Sequence, residues 1–408
     1  MPKTFRLISS RLLQRDYQYR SVSNDAMAYL WFVCSLPLAI CLLPVVVARF
    51  LFGRPFRLLV LQADTEFAHL VHLLESARPR AFARNNMTFI ILKYRPPHRT
   101  LGRLYQLVLE PKILWSSGVQ GLLSQALLVM PSLLVARECI KKRDISGSSL
   151  LRKSIEAPKS LFEMGMETLR QLGCRSSTLV LLSIHTREYD MSRTPRAIEK
   201  DQILESIGTD FPLTIDYLGS HGVDLVRLGG RDTERSRIPR EIPRLEDFGK
   251  LGGAHEIALA NLCTYFWSDE DGGFWTSFPF RKPVLFTNLA RLNLHSSSLP
   301  EVFVCVPTRY RTLDGVNLTF NEVLSHLSNG IQPWKLAVRG QLQLIRNTPD
   351  ELMDANREMI ARLESTWQVT PEIRILRQRL EHIWEAFPQF HRPEISDTYL
   401  LKNQDLLA

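Results

Sequence analysis

The sequence is poor in the signatures of the commoner ligand chemistries. Its six cysteines, Cys34, Cys41, Cys139, Cys174, Cys263 and Cys305, include no CxxC pair. That spacing excludes a zinc ribbon and argues against a disulfide scaffold, so reduced thiols in a cytosolic compartment are expected. Arg227-Leu-Gly-Gly-Arg231 lacks the glycine order of a dinucleotide fingerprint, and Gly249-Lys-Leu-Gly-Gly has the wrong spacing for a P-loop. The 20 glycines and 23 prolines follow no period, which excludes collagen-like sequence. No repeat of solenoid length is present. With 45% hydrophobic and 23% charged residues, wholesale disorder is excluded, and 408 residues suit two domains of ordinary size.

Charge is present but unevenly spread. The net charge is +9, of which residues 1–57 carry +6, eight Lys or Arg against Asp16 and Asp25. A nucleic-acid-binding domain would carry its basic excess on the folded body with aromatics between. Here the excess flanks Met27–Ala48, 22 residues without a formal charge, so anionic lipid is the expected partner and nucleic acid is not. About 20 apolar residues cross a bilayer core. Tyr29 and Trp31 lie near one end, where interfacial aromatics belong. Arg-Phe-Leu-Phe-Gly-Arg after Ala48 is a poor signal-peptidase site. Pro37 and Pro44 each remove a helix hydrogen bond, so a single span and a re-entrant hairpin both fit. The expected order is a basic segment (1–26) and a membrane anchor (27–50), then the soluble part.

Beyond the anchor, RLLVLQA (57–63) and MTFIILKY (87–94) read as strands around a helical stretch, the start of a βαβ unit. Residues 100–140 read as mostly helical, and 161–172 as a helix. A second series follows: strands TLVLLSIH (178–185), VDLVRLGG (223–230), TYFWS (264–268), KPVLFTN (282–288) and EVFVCVP (301–307) alternate with helices at 211–222 and HEIALAN. SDEDGGFW reads as a loop leading into a helix. Thr319 with Glu322, and Thr348 with Glu351, form capping boxes, and Thr370-Pro-Glu opens a last long helix. The fold class is α/β: two Rossmann-like domains, 55–160 and 176–345, with C-terminal helices over 346–408.

Ligands in open α/β sheets bind beyond the carboxyl ends of strands. His185-Thr186-Arg187-Glu188 stands at such an end, and the planar fork of Arg187 suits a diphosphate. Ser268 to Trp275 stands at another, where Gly272 and Gly273 can bring backbone N–H groups to an anion. Arg227 and Gly229 stand at a third. His69, His72 and Glu75 share a helix face, but with no third ligand set a metal site is not expected.

In their order, these pieces resemble a family of bacterial glycosyltransferases of the two-Rossmann-domain GT-B type, distantly similar to O-fucosyltransferases. The resemblance covers roughly 57–370 and rests on the strand-to-HxR loop at His185–Asp190, on IDYLGSHGVDLVRLGG, on ANLCTYFWSDEDGGFWTSFPFRKPVLFTN (260–288), and on TFNEVLSH and NTPDELMDANREMIARL. It implies transfer of a sugar from a nucleotide-sugar donor, held as substrate with no cofactor or metal, to a glycan, lipid or protein acceptor. It implies that 55–160 is the acceptor side and 176–345 the donor side. The implied donor contacts are His185, Arg187, Arg227, Gly229, Ser268, Gly272, Gly273 and Phe274. Arg187 also serves the chemistry, and the base comes from Asp64, Glu66 or His69 after the first strand. The expected place is the bacterial inner membrane, with the catalytic domains in the cytoplasm. A membrane-anchored binding or scaffold protein of the same fold, without turnover, is the alternative. Deleting residues 1–56 should move the protein from the membrane pellet to the soluble fraction on cell fractionation. A truncated, unaggregated chain that stays in the pellet would place the anchor elsewhere.

Overall fold

Runs of leucine and β-branched residues form two all-parallel sheets in the computed structural model. It describes residues 154–408 except 185–210, 229–241, 244, 246–252, 270–271, 291, 293–302 and 391; before 154 it describes residues 42–44 and the backbones of four strands. The chain divides into two units, Met1–Pro97 with Tyr105–Ile145, and His98–Leu104 with Ser146–Ala408. Among the described residues no helix is long and apolar enough to cross a membrane. The 27–48 segment lies outside them except for Leu42–Pro44, which are helical.

In the first unit β1 (Phe56–Leu61), β2 (Thr88–Leu92), β3 (Ile113–Trp115) and β4 (Val135–Ile140) form one sheet in the order β3-β2-β1-β4. Every pairing is parallel. The helical reading of 100–140 fails at β3 and β4. Val-Ala-Arg-Glu-Cys-Ile has no strand alternation of its own, and all six residues instead pair in register with Phe56–Leu61. Tertiary pairing overrides a weak local preference of this kind.

The second unit holds β5 (Leu179–Ile184), β6 (Asp224–Leu228), β7 (Tyr265–Asp269), β8 (Val284–Leu289) and β9 (Phe303–Pro307). Their order is β6-β5-β7-β8-β9, again all parallel. Strands buried on both faces need continuous apolar runs, and β5 is buried throughout. Helices α1 (Lys159–Gln171) and α3 (Gly253–Leu262) pack together on one face. On the other, α2 (Pro212–Ser220) lies beside α6 (Pro349–Leu363). There the Tyr265 hydroxyl donates to Asn356 Oδ1 at 2.7 Å, and Phe211 meets Trp267 edge-on at 5.6 Å.

Both capping boxes form: Thr319 and Glu322 open α4 (Phe320–Ser328), and Thr348 and Glu351 open α6. Between these helices lie the short α5 (Pro333–Val338) and β11 (Gln343–Ile345), which pairs antiparallel with β10 (Arg309–Arg311) from before α4; none of the three is expected from the sequence. Thr370 caps α7 (Pro371–Glu385), and Ser396 caps α8 (Asp397–Lys402).

These last helices belong to the second unit through a buried ionic lattice. Glu358, fully buried on α6, sits at the start of α8 and accepts from the Asp397 and Thr398 N–H groups at 3.0 Å each. It also accepts from the Ser396 hydroxyl at 2.7 Å and from Arg362 at 2.7 Å. A carboxylate at a helix N-terminus meets both orphan donors and the dipole. Asp397 takes a two-point contact from Arg377 at 2.7 and 2.8 Å. Ile395 bridges Cys305 of β9 in parallel, which extends the sheet by one residue of tail. Removing one partner from a buried ion pair costs about 3–5 kcal/mol, so the tail is fastened to the sheet and not merely laid on it.

Helices α1 and α3 approach so closely that only glycine fits at 165. A Cβ there would lie 2.6 Å from Leu262 Cδ1 and 2.9 Å from the Ala258 carbonyl oxygen. Gly165→Ala should therefore destabilise the second unit by about 1–3 kcal/mol, the usual cost of overpacking. Urea denaturation reads this; an unchanged midpoint would show that the two helices can move apart freely.

Candidate functional site

Numbered within the second sheet, the order β6-β5-β7-β8-β9 is 2-1-3-4-5, so strand order reverses between β5 and β7. Crevices for ligands form beyond the carboxyl ends of the strands at such a switch point. Ile184 ends β5 and Asp269 ends β7, and the two are in register across it. The chain thus enters His185-Thr186-Arg187 from one side of the switch and Asp269–Gly273 from the other. His185, Arg187 and Gly229 lie outside the described residues, as do Asp64, Glu66 and His69, which follow β1.

Register decides which described candidates share a face, because residues paired across a parallel sheet point the same way. Arg227, Leu182 and Trp267 form one row, and Ile184 with Asp269 lies two residues further along the same face. Ser183, Ser268 and Phe286 form a row on the opposite face. Arg227 and Ser268, expected to act together, are therefore separated by the sheet. Arg227 is only 1% exposed and Ser268 is fully buried.

The Gly-Gly run is not the start of an α-helix. Residues Gly272–Thr276 form one short 3₁₀ turn, followed by a second at Phe278–Phe280. The Thr276 hydroxyl donates to the Gly273 carbonyl at 2.8 Å, and the Ser277 hydroxyl to that of Phe274 at 2.7 Å. These contacts fix the turn over the Ser183–Ser268 row. Phe274 is the correction here. Its ring is buried edge-on against Phe286 at 4.6 Å and serves the core, so at this position only the backbone remains to meet a ligand.

The other face carries a polar cluster that the sequence reading missed. Asp269 is fully buried. Its Oδ1 accepts from the Thr287 hydroxyl at 3.0 Å and from the Asn288 amide. Thr287 in turn accepts from the Trp267 indole N–H at 2.9 Å. Asn288 has φ of 52° beside a register shift in β8. This left-handed conformation suits asparagine better than most residues. It turns the Asn288 N–H toward Asn347 Oδ1, while the Asn347 N–H donates to Asn288 Oδ1 at 2.7 Å. The Asn347 amide also donates to the Pro307 carbonyl at 2.8 Å. Arg346 Nη1 stands 4.0 Å from Asp269 Oδ2. Asp269, the first of the acids after Ser268, points into this cluster. Asparagine ending a strand and asparagine preceding Thr-Pro-Asp-Glu were the only traces of it in the sequence.

Among the described cysteines, none is poised as a nucleophile. Burial pushes the Cys263 thiol up to about 12. Burial, and the nearby Asp224 charge, raise Cys174 to about 11. Reactivity follows the thiolate, which such surroundings suppress.

No protein-family model matches the chain, and no curated protein does. Solved structures similar to it include a glycosyl transferase family 9 protein from Veillonella parvula, 12% identical with a TM-score of 0.41 over 76% of this chain and 98% of that one. ADP-heptose lps heptosyltransferase II of E. coli is likewise 12% identical, with a TM-score of 0.41 over 76% of this chain and all of that one. The dodecameric iron-containing glycosyltransferase TibC of enterotoxigenic E. coli is 13% identical, with a TM-score of 0.40 over 76% of this chain and 77% of that one. At these scores the likeness decides neither fold nor activity.

The amide clasp yields a graded expectation. Asn288→Gly keeps the backbone turn but loses the side-chain bonds, and should cost about 1–3 kcal/mol. Asn288→Ala should cost about 1–2 kcal/mol more, because alanine resists the left-handed conformation. Chemical denaturation of both variants checks this; equal stabilities would show that the turn at 288 carries no strain.

Proposed function

We propose that the protein is a GT-B-type glycosyltransferase, moving a sugar from a nucleotide-sugar donor to a cell-surface glycan, lipid or protein acceptor. One observation carries the reading. The strand order reverses between β5 and β7, and the HxR loop and the Ser268–Gly273 run leave the sheet from those two strands. Two stretches that resemble a nucleotide-sugar site by sequence thus follow from neighbouring strand ends, the edge where α/β sheets bind ligands, which supports the reading.

In the reaction the bond from the sugar's anomeric carbon to the diphosphate oxygen breaks, and its electron pair leaves with the nucleoside diphosphate. A bond forms to the acceptor oxygen, whose proton passes to a base. The departing charge needs fixed cations and N–H donors. Arg187 is assigned to the diphosphate, the backbone at Gly272–Gly273 assists it, and His185 and Gly229 shape the donor pocket. Asp64, Glu66 and His69 follow the first strand and are the candidates for the base. The donor is the substrate, and no resident metal or cofactor is invoked. Residues 27–48 hold the protein at the bacterial inner membrane with both α/β units in the cytoplasm.

Calorimetric titration of nucleotide sugars into wild type and Arg187 variants tests this. A charged hydrogen bond contributes about 1.5–3 kcal/mol, so Arg187→Ala should weaken donor binding by about ten- to a hundredfold, and Arg187→Lys should recover only part of it. Equal affinities with intact thermal melts would remove Arg187 from the site. Donor binding without release of nucleoside diphosphate to any acceptor preparation would leave a binding protein in place of an enzyme.

A further inference from the structure

We infer that the second unit carries a further binding site, for a small molecule with an apolar body and an ammonium group, in a cavity at the outer edge of its sheet. The cavity measures about 540 Å³, a size typical of small-molecule sites. Every residue that lines it is among the described residues, and all belong to the second unit. It surrounds the start of β6, the edge strand in the order β6-β5-β7-β8-β9. The donor reading concerns the opposite, carboxyl ends of the strands, and neither site depends on the other.

The walls are apolar. Leu172, Ile215, Val223, Leu225 and Ile242 form them, brought together from the end of α1, from α2, from β6 and from the segment beside it. The rim is tied within the protein: the Ser176 hydroxyl donates to the Gly222 carbonyl, which joins the loop after α1 to the turn after α2. The wall made by β6 also has backbone to offer. The Asp224 N–H points to the β5 side, where it meets the Thr178 carbonyl at 2.9 Å. The Arg227 N–H points the other way, to the Pro243 carbonyl at 3.0 Å. Alternate residues of a strand send their N–H and C=O groups to opposite sides, so those of Leu225 leave the sheet on the side of Pro243. No described residue takes them. Open backbone groups on an edge strand are ready hydrogen-bond partners.

The charge in the cavity has one sign. Asp216 and Asp224 bring two carboxylates, and no Lys, Arg or His lines it. Asp224 Oδ2 accepts from the Arg175 and Ser176 N–H groups at 2.6 Å each, which fixes the carboxylate and leaves Oδ1 without a partner among the described residues. Asp216 is exposed. Two helices also end on the cavity: Gly219 stands in the last turn of α2, and Leu172 and Gly173 follow α1. Helix C-termini present unsatisfied carbonyls and the negative end of the dipole. The last turn of α2 holds no basic residue to answer it. Two carboxylates and two helix ends attract a cation and repel an anion, and the apolar walls take the body that carries it.

Gly219 offers a way to close the cavity. A Cβ there meets no atom within 4 Å, and a helical position favours leucine over glycine, so Gly219→Leu should fold and fill the space. Saturation-transfer NMR on the full-length chain tests the site with phenethylamine and cyclohexylmethylamine, each beside the alcohol of the same skeleton. Wild type should bind the amines about tenfold more tightly than the alcohols, the effect of one charged hydrogen bond. Gly219→Leu should abolish binding of both. Asp224→Asn should lose about tenfold in amine affinity and leave the alcohols unchanged. Asp216→Asn, an exposed change that spares the fold, should lose severalfold. Thermal melts establish that each variant is folded, and excess ADP, GDP or UDP should leave amine binding unchanged. If wild type binds neither amine, or binds amine and alcohol equally, the inference is overturned. It is overturned too if the folded Gly219→Leu and Asp216→Asn variants bind the amines as wild type does. In each case the donor reading is untouched.

Discussion

A carboxylate buried at the end of β7 sets the terms for the carboxyl edge of the second sheet. Asp269 has no access to water, so protein donors must meet its charge. The end of β8 supplies two of them, Thr287 and Asn288. To present both, the strand shifts register and Asn288 adopts φ of 52°. That turn takes the Asn288 N–H out of the sheet ladder, and Asn347 collects it. Asn347 immediately precedes the cap of α6, so the clasp also places that helix. Helix α6 then brings Asn356 to Tyr265, Glu351 to Arg309, and Glu358 to the start of α8. From one buried charge the dependence runs to the end of the chain.

The lattice around Glu358 and Asp397 shows the same economy. Two buried carboxylates are met by two arginines, two backbone N–H groups and the hydroxyls of Ser396 and Thr398. Such lattices add little net stability when complete and cost a great deal when broken. Their effect is to make one arrangement of the tail strongly preferred, with Ile395 seated beside Cys305. A rigid edge of this kind lets a side chain on a neighbouring loop be held in a defined place. At the switch point this produces two distinct faces. One is lined by Ser183, Ser268 and the 3₁₀ turn, the other by Asp269 and its amides.

Strong local patterns were legible in the sequence. TLVLLSI and KPVLFTN could only be buried strands, and Thr319 with Glu322 and Thr348 with Glu351 announced their helices. These signals succeed because each is satisfied within a few residues. The site was legible only in part. The strand ends were visible, whereas the roles of Phe274 and Asp269 were read wrongly or missed. A phenylalanine beside two glycines looks like a ligand contact until Phe286 is placed under its ring, and an acid beside them looks exposed until Asn288 is placed against it.

By itself the sequence determined an α/β protein of alternating strands and helices, an uncharged run of 22 residues with basic flanks, and the caps of the late helices. These follow from composition and from spacings of two to four residues. Only the tertiary structure decided that Val135–Ile140 is a strand, because its partner β1 lies more than 70 residues away. It alone decided that Arg227 and Ser268 face opposite ways, because strand register is a long-range property. And it alone brought Arg346 to Asp269, 77 residues apart, because that meeting depends on a hydrogen-bonded clasp between two asparagines that no local rule connects.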